Sequence, residues 1–198
     1  MNSSALPIAS TFTKAVLTVQ DFLDRYERGE RAFDSLRLRG AILRETRLPG
    51  LHLGLAELTG ADLSAATWSC SDLIEACFSG ALLWRTDLSS TTLIRSNFTR
   101  SALIRANFSQ SNCYQASFAH ADMRLIHLEG ADLTGANLVG ADLRFAHLSG
   151  TNLTDANLTG ANLIGSDFSH ATLCNTNLTH TQIDRVNWTG CDRTQIKP

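Results

Sequence analysis

The sequence predicts an all-β solenoid built from four-sided coils, and two regularities carry this prediction. A large apolar residue returns every five positions from Phe33 to Trp188 without a break in register, which makes 32 units. Two residues after that position, glycine occurs mainly in every second unit, so the pattern also has a period of ten. In a chain of 198 residues, such regularity indicates one repeated structural unit rather than several different elements.

The period of five fits neither a regular helix nor a regular strand. We call the large apolar position the centre of a unit; 21 centres are Leu and six are Phe. On a helix this period carries the centres around the axis, and on a strand it sends alternate centres to opposite faces, so the chain must turn within each unit. Two residues before the centre, 27 of 32 positions are Ala, Ser or Thr, and both positions can therefore face a narrow interior.

The glycines predict how many sides each coil has. Nine of the 16 even-numbered units have glycine two residues after the centre, against two of the odd-numbered units. This alternation predicts two corner geometries in turn, with positive φ needed more often at one of them. A three-sided coil would scramble the alternation, whereas a four-sided coil of 20 residues preserves it. About eight such coils would form a rod roughly 40 Å long.

The segments at the two ends are predicted to differ. Residues 1–30 form an N-terminal segment, residues 31–190 form the repeats, and residues 191–198 form a short tail. A solenoid contacts itself only between neighbouring coils, so its end coils need covering. The tail is too short for this role, which leaves the C-terminal end open.

A helix over about 12–28 is predicted to cover the first coil. Ser10 or Thr11 can cap its start, and Gly29 lies near its end. The apolar residues of this segment fall on one side, which favours a lid packed on the solenoid over a helix that binds a partner.

The repeated unit resembles a known family. LTGADLSAA and LTDANLTGANL contain A(D/N)L(S/T)x, the pentapeptide-repeat signature, and Asp or Asn precedes 16 of the 32 centres. The resemblance covers 31–190, and the lead-in FLDRYERGERAF is similar to that of cyanobacterial-type members. It implies a right-handed quadrilateral parallel β-helix, of which the handedness comes from the resemblance alone. The first six units depart from the pattern because they lack Asp or Asn before the centre.

Composition and motifs argue against several functional classes. Lys and Arg number 17 against 19 Asp and Glu, so the chain has neither the basic footprint of a nucleic-acid binder nor a strongly acidic field. GxGxxG, GxxxxGK(S/T), GxSxG and HExxH are all absent, and a convex rod offers few places where catalytic groups converge. We therefore expect no enzymatic activity, no cofactor and no nucleic-acid partner.

The cysteines and the apolar runs indicate a cytoplasmic protein without membrane contact. Five cysteines without CxxC spacing favour neither a disulfide framework nor a zinc site. No apolar run approaches the ~18 residues of a membrane span, and the first residues lack the basic region of a signal peptide. His127 and His147 on adjacent coils, with Asp167 on the next, could hold a metal, but an outward polar ladder explains them better. No metal site is predicted.

One side of the coil has an unusual surface, which we call the Arg/Trp/Phe face. It carries six of the 12 arginines in the repeats, where an even distribution gives three. Arginine mixed with aromatic and aliphatic side chains is typical of protein interfaces. The residues predicted to bind a partner are Trp84, Arg85, Ile104, Arg105, Arg124, Leu125, Arg144 and Phe145. The alternative is a plain β surface on which Asp122 and Asp142 neutralise neighbouring arginines.

The leading functional hypothesis is a non-enzymatic module for protein–protein interaction or regulation, whose partner the sequence does not identify. A homodimer, formed through the open C-terminal end or the Arg/Trp/Phe face, is an alternative. The resemblance implies two kinds of relative: cyanobacterial proteins that act in heterocyst differentiation by binding a regulator, and acidic rods that imitate duplex DNA and protect topoisomerases. The repeats contain 12 Arg and 14 acidic residues, which disfavours imitation of DNA. A metal-binding or enzymatic protein is the least favoured alternative.

Overall fold

The computed structural model describes residues 17–196. They contain one α-helix, α1 (Val19–Glu27), followed by a regular series of turns joined by single parallel bridges. The sides of the coils are so short that each contributes one bridging residue, the one before the centre, rather than an extended strand. Within this part of the chain no helix has the length and apolarity needed to cross a membrane.

The bridges confirm the predicted coil of 20 residues. Each bridge is parallel and joins a residue to the one 20 positions later, as in Asp122 with Asp142. Backbone hydrogen bonds extend the pairing, since the amide of Leu103 donates to the carbonyl of Asp122 over 2.7 Å and the amide of Asp122 to that of Ser101 over 2.9 Å. Four bridges and four turns recur in each 20 residues, so the coil has four sides.

The interior consists of the predicted large and small positions. The centres and the residues two positions before them are buried along most of the rod, and no buried side-chain nitrogen or oxygen in the described chain lacks a hydrogen-bond partner. Phe78, Phe98 and Phe118 stack as an interior ladder, as their shared register predicts, with ring centroids 4.7 and 5.1 Å apart. The centre Cys113 is also buried, and burial raises the pKa of its thiol to about 12. Its role is packing.

The prediction of two alternating corner geometries is wrong. The second residue after every centre from 35 to 190 has positive φ, between 53° and 71°, whether or not it is glycine. The alternation of glycine therefore predicts the length of the coil correctly, although glycine does not mark a different backbone conformation at alternate corners. A different signal marks these corners: none of the 32 positions holds Val, Ile or Thr, although Thr and Ile recur one residue earlier. Branching at Cβ is poorly compatible with left-handed backbone, which explains the exclusion.

A matched pair of serines tests this explanation. Ser90 lies at a left-handed corner with φ of 54°, whereas Ser89 lies at the preceding position, where Thr is common. Ser90→Thr is expected to lower the free energy of unfolding by about 1 kcal/mol or more, because it places a branched Cβ on strained backbone. Ser89→Thr should have little effect. Equal stabilities of the two variants in urea-unfolding measurements would contradict the explanation.

Helix α1 covers the first coil, but its start differs from the prediction. Ser10, Thr11 and the predicted helix up to residue 16 lie outside the described residues, and Thr18 is extended instead of helical, with ψ of 163°. Thr18 caps the helix, because the amide of Asp21 donates to its hydroxyl over 3.1 Å while the Asp21 carboxylate accepts from the Thr18 amide. Phe22 is fully buried, and its ring meets that of Phe33 edge-on at 4.8 Å.

At the C-terminus the solenoid continues beyond the predicted boundary at residue 190. Residues 191–195 form one more unit instead of a tail, since Asp192 makes a parallel bridge to the preceding coil. Arg193 occupies the centre of this unit, so a charged side chain stands where Leu or Phe stands elsewhere. The nearby centre Ile183 is 50% exposed. The centres Ile183 and Arg193 of the last described coil are therefore exposed, unlike those in the middle of the rod.

Candidate protein-binding face

The eight residues predicted to bind a partner line one groove on the outside of the coils. The groove has a volume of about 640 Å³. It is lined by Trp84, Arg85, Ile104, Arg105, Arg124, Leu125, Arg144 and Phe145, together with Ser64 and Ala65. Ser64 and Ala65 are not among the residues predicted from the sequence. The feature of the sequence that could have identified them is their small size. They occupy the outward positions one coil before Trp84, and small side chains there leave one end of the groove open.

The apolar and basic side chains exchange places halfway along the groove. Each unit has two outward corner positions, one and two residues after the centre. Trp84 and Ile104 occupy the first position on their coils, whereas Leu125 and Phe145 occupy the second on theirs. The arginines fill the other position of each unit. The apolar side chains therefore form a strip that crosses the face diagonally, with two arginines on either side.

The two aromatic side chains at the ends of this strip are half-exposed. Trp84 is 52% and Phe145 is 53% exposed, whereas Ile104 and Leu125 are partly buried between them. Gly165, one coil further on, makes room for Phe145, because a Cβ on that glycine would lie 2.7 Å from the ring. Phe145 itself has φ of 58°, a conformation that glycine adopts with less strain. Backbone geometry therefore does not account for a large apolar side chain at this corner.

Two of the groove arginines are neutralised within the protein. Arg124 makes two hydrogen bonds of 2.8 Å to the carboxylate of Asp122. Arg144 binds Asp142 in the same way, with Nε to Oδ1 at 2.9 Å and Nη2 to Oδ2 at 2.7 Å. These hydrogen bonds raise the pKa of both arginines. Burial raises the pKa of Asp142, but the hydrogen bonds from Arg144 outweigh it and leave that pKa below its usual value. The charge pairing that the alternative explanation assumes is therefore present in this half of the face.

The other two groove arginines have no such partner. Within residues 17–196 the side chains of Arg85 and Arg105 make no ion pair and no hydrogen bond, and both are exposed. Leu82 and Ala102 occupy the positions that Asp122 and Asp142 hold on the later coils. The groove therefore has a neutralised half and a half with two uncompensated positive charges.

The candidate metal ligands form a polar ladder. The rings of His127 and His147 stack with centroids 4.7 Å apart and an angle of 4°, and Nδ1 of His127 lies 3.1 Å from Glu129. Asp167 accepts a hydrogen bond of 2.9 Å from Asn187 on the following coil. In the described part of the chain, no three His, Cys, Asp or Glu side chains are grouped to hold a metal ion.

Two of the solved structures to which this chain is similar differ in the extent of the likeness. HetL from the cyanobacterium Nostoc sp. strain PCC 7120, a pentapeptide repeat protein involved in heterocyst differentiation regulation, is 27% identical over 90% of this chain and 94% of its own, with a TM-score of 0.40. A trypsin-treated variant of QnrB1, a plasmid-mediated fluoroquinolone resistance protein, is 18% identical over 84% of this chain and 90% of its own, with a TM-score of 0.69. At that identity, the likeness to QnrB1 shows the fold alone.

Sequence comparison identifies the family. No curated protein matches the chain. The family model for pentapeptide repeats matches in 8 copies, over residues 71–110, 111–150, 141–179 and 151–190. These matches span more than half of the chain and coincide with the part in which Asp or Asn most often precedes the centre. The chain therefore belongs to the pentapeptide-repeat family.

Proposed function

We propose that this protein is a non-enzymatic interaction module that binds another protein through the groove on its Arg/Trp/Phe face. The observation that carries the proposal is the grouping of Trp84 and Phe145, each about half-exposed, with four arginines around one groove. Aromatic and arginine side chains contribute most of the binding energy in many protein interfaces. The rod itself is a right-handed quadrilateral β-helix, as in other members of the family.

The chemistry of the groove supports binding rather than catalysis. None of its ten lining residues is His, Asp, Glu, Cys or Lys. Arginine stays protonated in proteins, so the lining side chains lack a group suited to act as a general base. A partner can use such a surface for apolar contact and charge pairing, neither of which requires a proton to move.

The cysteines support a cytoplasmic role. All five are free in the structure, and one of them, Cys113, belongs to the core. A rod that buries a free thiol and forms no disulfide suits a reducing compartment. Fractionation of the native host, followed by immunodetection, tests this placement.

The double variant Trp84→Ser and Phe145→Ser tests the proposed function. Wild-type protein immobilised on a resin should capture a discrete host protein, which mass spectrometry identifies and which is then purified for affinity measurement. The double variant should bind that protein more weakly by ~2 kcal/mol or more, because both apolar anchors are lost. The fold should change little, since both side chains point outward.

The control removes comparable apolar surface elsewhere on the rod. Leu55 and Tyr114 are exposed and lie outside the groove, so Leu55→Ser with Tyr114→Ser is the matched variant. Equal affinities of the two double variants for the purified partner would show that the groove is an ordinary exposed β surface without a binding role.

Imitation of duplex DNA is a weaker candidate. It requires rows of acidic groups, whereas the most distinctive face here carries two uncompensated arginines beside exposed apolar side chains. A gyrase supercoiling assay separates the two functions. Inhibition of supercoiling by the wild-type protein and by the Trp84 and Phe145 double variant alike would favour DNA mimicry.

A further inference from the structure

The uncompensated half of the groove contains a pair of like charges at close spacing. Arg85 and Arg105 occupy the same corner position on adjacent coils, and their backbones belong to one ladder, in which the Arg85 amide donates to Ile104 and the Arg105 amide to Arg124, each over 3.1 Å. Neighbouring coils are separated by ~4.8 Å, the spacing of paired strands. Like charges at directly adjacent ladder positions destabilise a sheet. The fold does not require these arginines, since glycine, serine or alanine occupies the same position in other units.

On the two following coils, the protein neutralises the corresponding arginines with its own aspartates. Arg124 and Arg144 each have an aspartate two residues earlier, at 2.7 to 2.9 Å. The corresponding residues on the two preceding coils are Leu82 and Ala102, which cannot accept a hydrogen bond through their side chains. No side chain of the described residues therefore neutralises the positive charge of Arg85 or Arg105.

The size of the groove limits how much of a ligand it can hold. Its volume of about 640 Å³ is within the range of pockets that bind a drug-sized molecule, which corresponds to a few amino-acid side chains. The coils of Trp84 and Phe145 are three ladder steps apart, or roughly 14 Å, which an extended peptide spans with about five residues. A short linear segment fits these dimensions better than the broad surface of a folded domain.

We propose that the groove binds a short acidic segment of the partner protein, in which one or more carboxylates lie between Arg85 and Arg105 and a large apolar side chain packs against the Trp84 to Phe145 strip. This inference rests on the proposed function and specifies the chemistry of the partner. Guanidinium groups bind carboxylates through paired, charge-assisted hydrogen bonds, the arrangement already present at Arg124 and Arg144. A nucleic acid is disfavoured, because it would meet only two free arginines among exposed apolar side chains.

An array of immobilised hexapeptides tests this specificity with the full-length protein. One set combines Asp or Glu with Leu, Phe or Trp, and a matched set carries Asn or Gln in place of the acids. Wild-type protein should be retained on members of the acidic set at least tenfold more strongly than on their neutral counterparts. Arg85→Gln with Arg105→Gln should abolish this difference. Retention that is equal on both sets, or absent from the acidic set, would overturn the inference.

A control variant separates a local site from general electrostatics. Arg47→Gln with Arg100→Gln removes the same charge from exposed arginines outside the groove and should preserve at least half of the acidic preference. A similar loss in both double variants would overturn the assignment, as would binding of a short DNA duplex that depends on Arg85 and Arg105. If the Trp84 and Phe145 double variant loses the host partner while the Arg85 and Arg105 double variant keeps it, the proposed function holds and the acidic-segment inference fails.

Discussion

Phe98→Ala is expected to lower the free energy of unfolding by about 3–5 kcal/mol, because it removes a fully buried ring from the middle of the rod. Phe98 stacks on Phe78 and Phe118 at centroid distances of 4.7 and 5.1 Å, and Phe108 meets it edge-on at 5.4 Å. The coils on either side are held by backbone hydrogen bonds, so they cannot collapse into the cavity. Urea unfolding followed by circular dichroism measures the loss, and a change below about 1 kcal/mol would contradict the assigned register.

A milder substitution separates ring contacts from simple burial. Phe98 contacts three other rings, whereas the structure shows one ring partner for Phe78, so two extra aromatic pairs distinguish them. Each such pair contributes ~0.5–1.5 kcal/mol beyond the area it buries. Phe98→Leu should therefore cost about 1–3 kcal/mol more than Phe78→Leu, although both replace phenylalanine with the commonest centre residue. Equal losses would mean that the rings act only through their volume.

Removal of residues 1–28 is expected to lower the melting temperature and to promote aggregation. This deletion takes away α1 and exposes the ring of Phe33 together with the edges of the first centres, which are buried beneath the helix. An uncovered end coil also presents unpaired backbone groups to other molecules. Differential scanning fluorimetry and light scattering record the two effects. An unchanged melting temperature and a monodisperse truncated protein would contradict the role of α1 as a lid.

A point variant isolates the contact that holds the lid. Phe22→Ala removes the one fully buried side chain of α1 and should cost about 3 kcal/mol, which corresponds to roughly 6 °C or more for a domain of this size. Gln20→Ala on the exposed side of α1 is the control and should be nearly neutral, because the helix propensity of alanine offsets the loss of an exposed hydrogen bond to Asp24. Hydrogen exchange should show faster exchange in the first coil of Phe22→Ala, at amides such as that of Phe33. Equal protection in both variants would mean that the coil holds its structure without the lid.

The predicted start of the helix illustrates a limit of local patterns. The apolar positions from Phe12 onward favour a long helix, but Thr18 and Asp21 form a capping box, and this local hydrogen bonding starts α1 at Val19. The signal was present in the sequence as threonine followed three residues later by aspartate. The apolar pattern concealed it, because a capping residue and a polar helical residue look alike until the backbone conformation is known.

The eight groove residues could be assigned to one face from the sequence, because a repeat without register breaks determines which side of the coil each residue occupies. Their grouping around a single groove, and the contribution of Ser64 and Ala65, depended on side-chain size and on how far each side chain reaches across neighbouring coils. The sequence also placed Asp122 and Asp142 near arginines. It did not distinguish those neutralised arginines from Arg85 and Arg105, because charge pairing depends on distances that only the folded coil establishes.

By itself, then, the sequence determined the length of the coil, the buried and exposed positions and the stacked phenylalanines of one side. Each of these follows from a period that backbone hydrogen bonding repeats every 20 residues. The uniform left-handed corners are also marked in the sequence, by the absence of Val, Ile and Thr two residues after each centre, but this meaning became evident only from the backbone angles. The tertiary structure alone decided the extra unit centred on Arg193, the edge-on contact of Phe108 with a neighbouring side and the uncompensated charge in the groove. These features depend on contacts between neighbouring coils or between different sides of one coil, which a linear repeat does not specify.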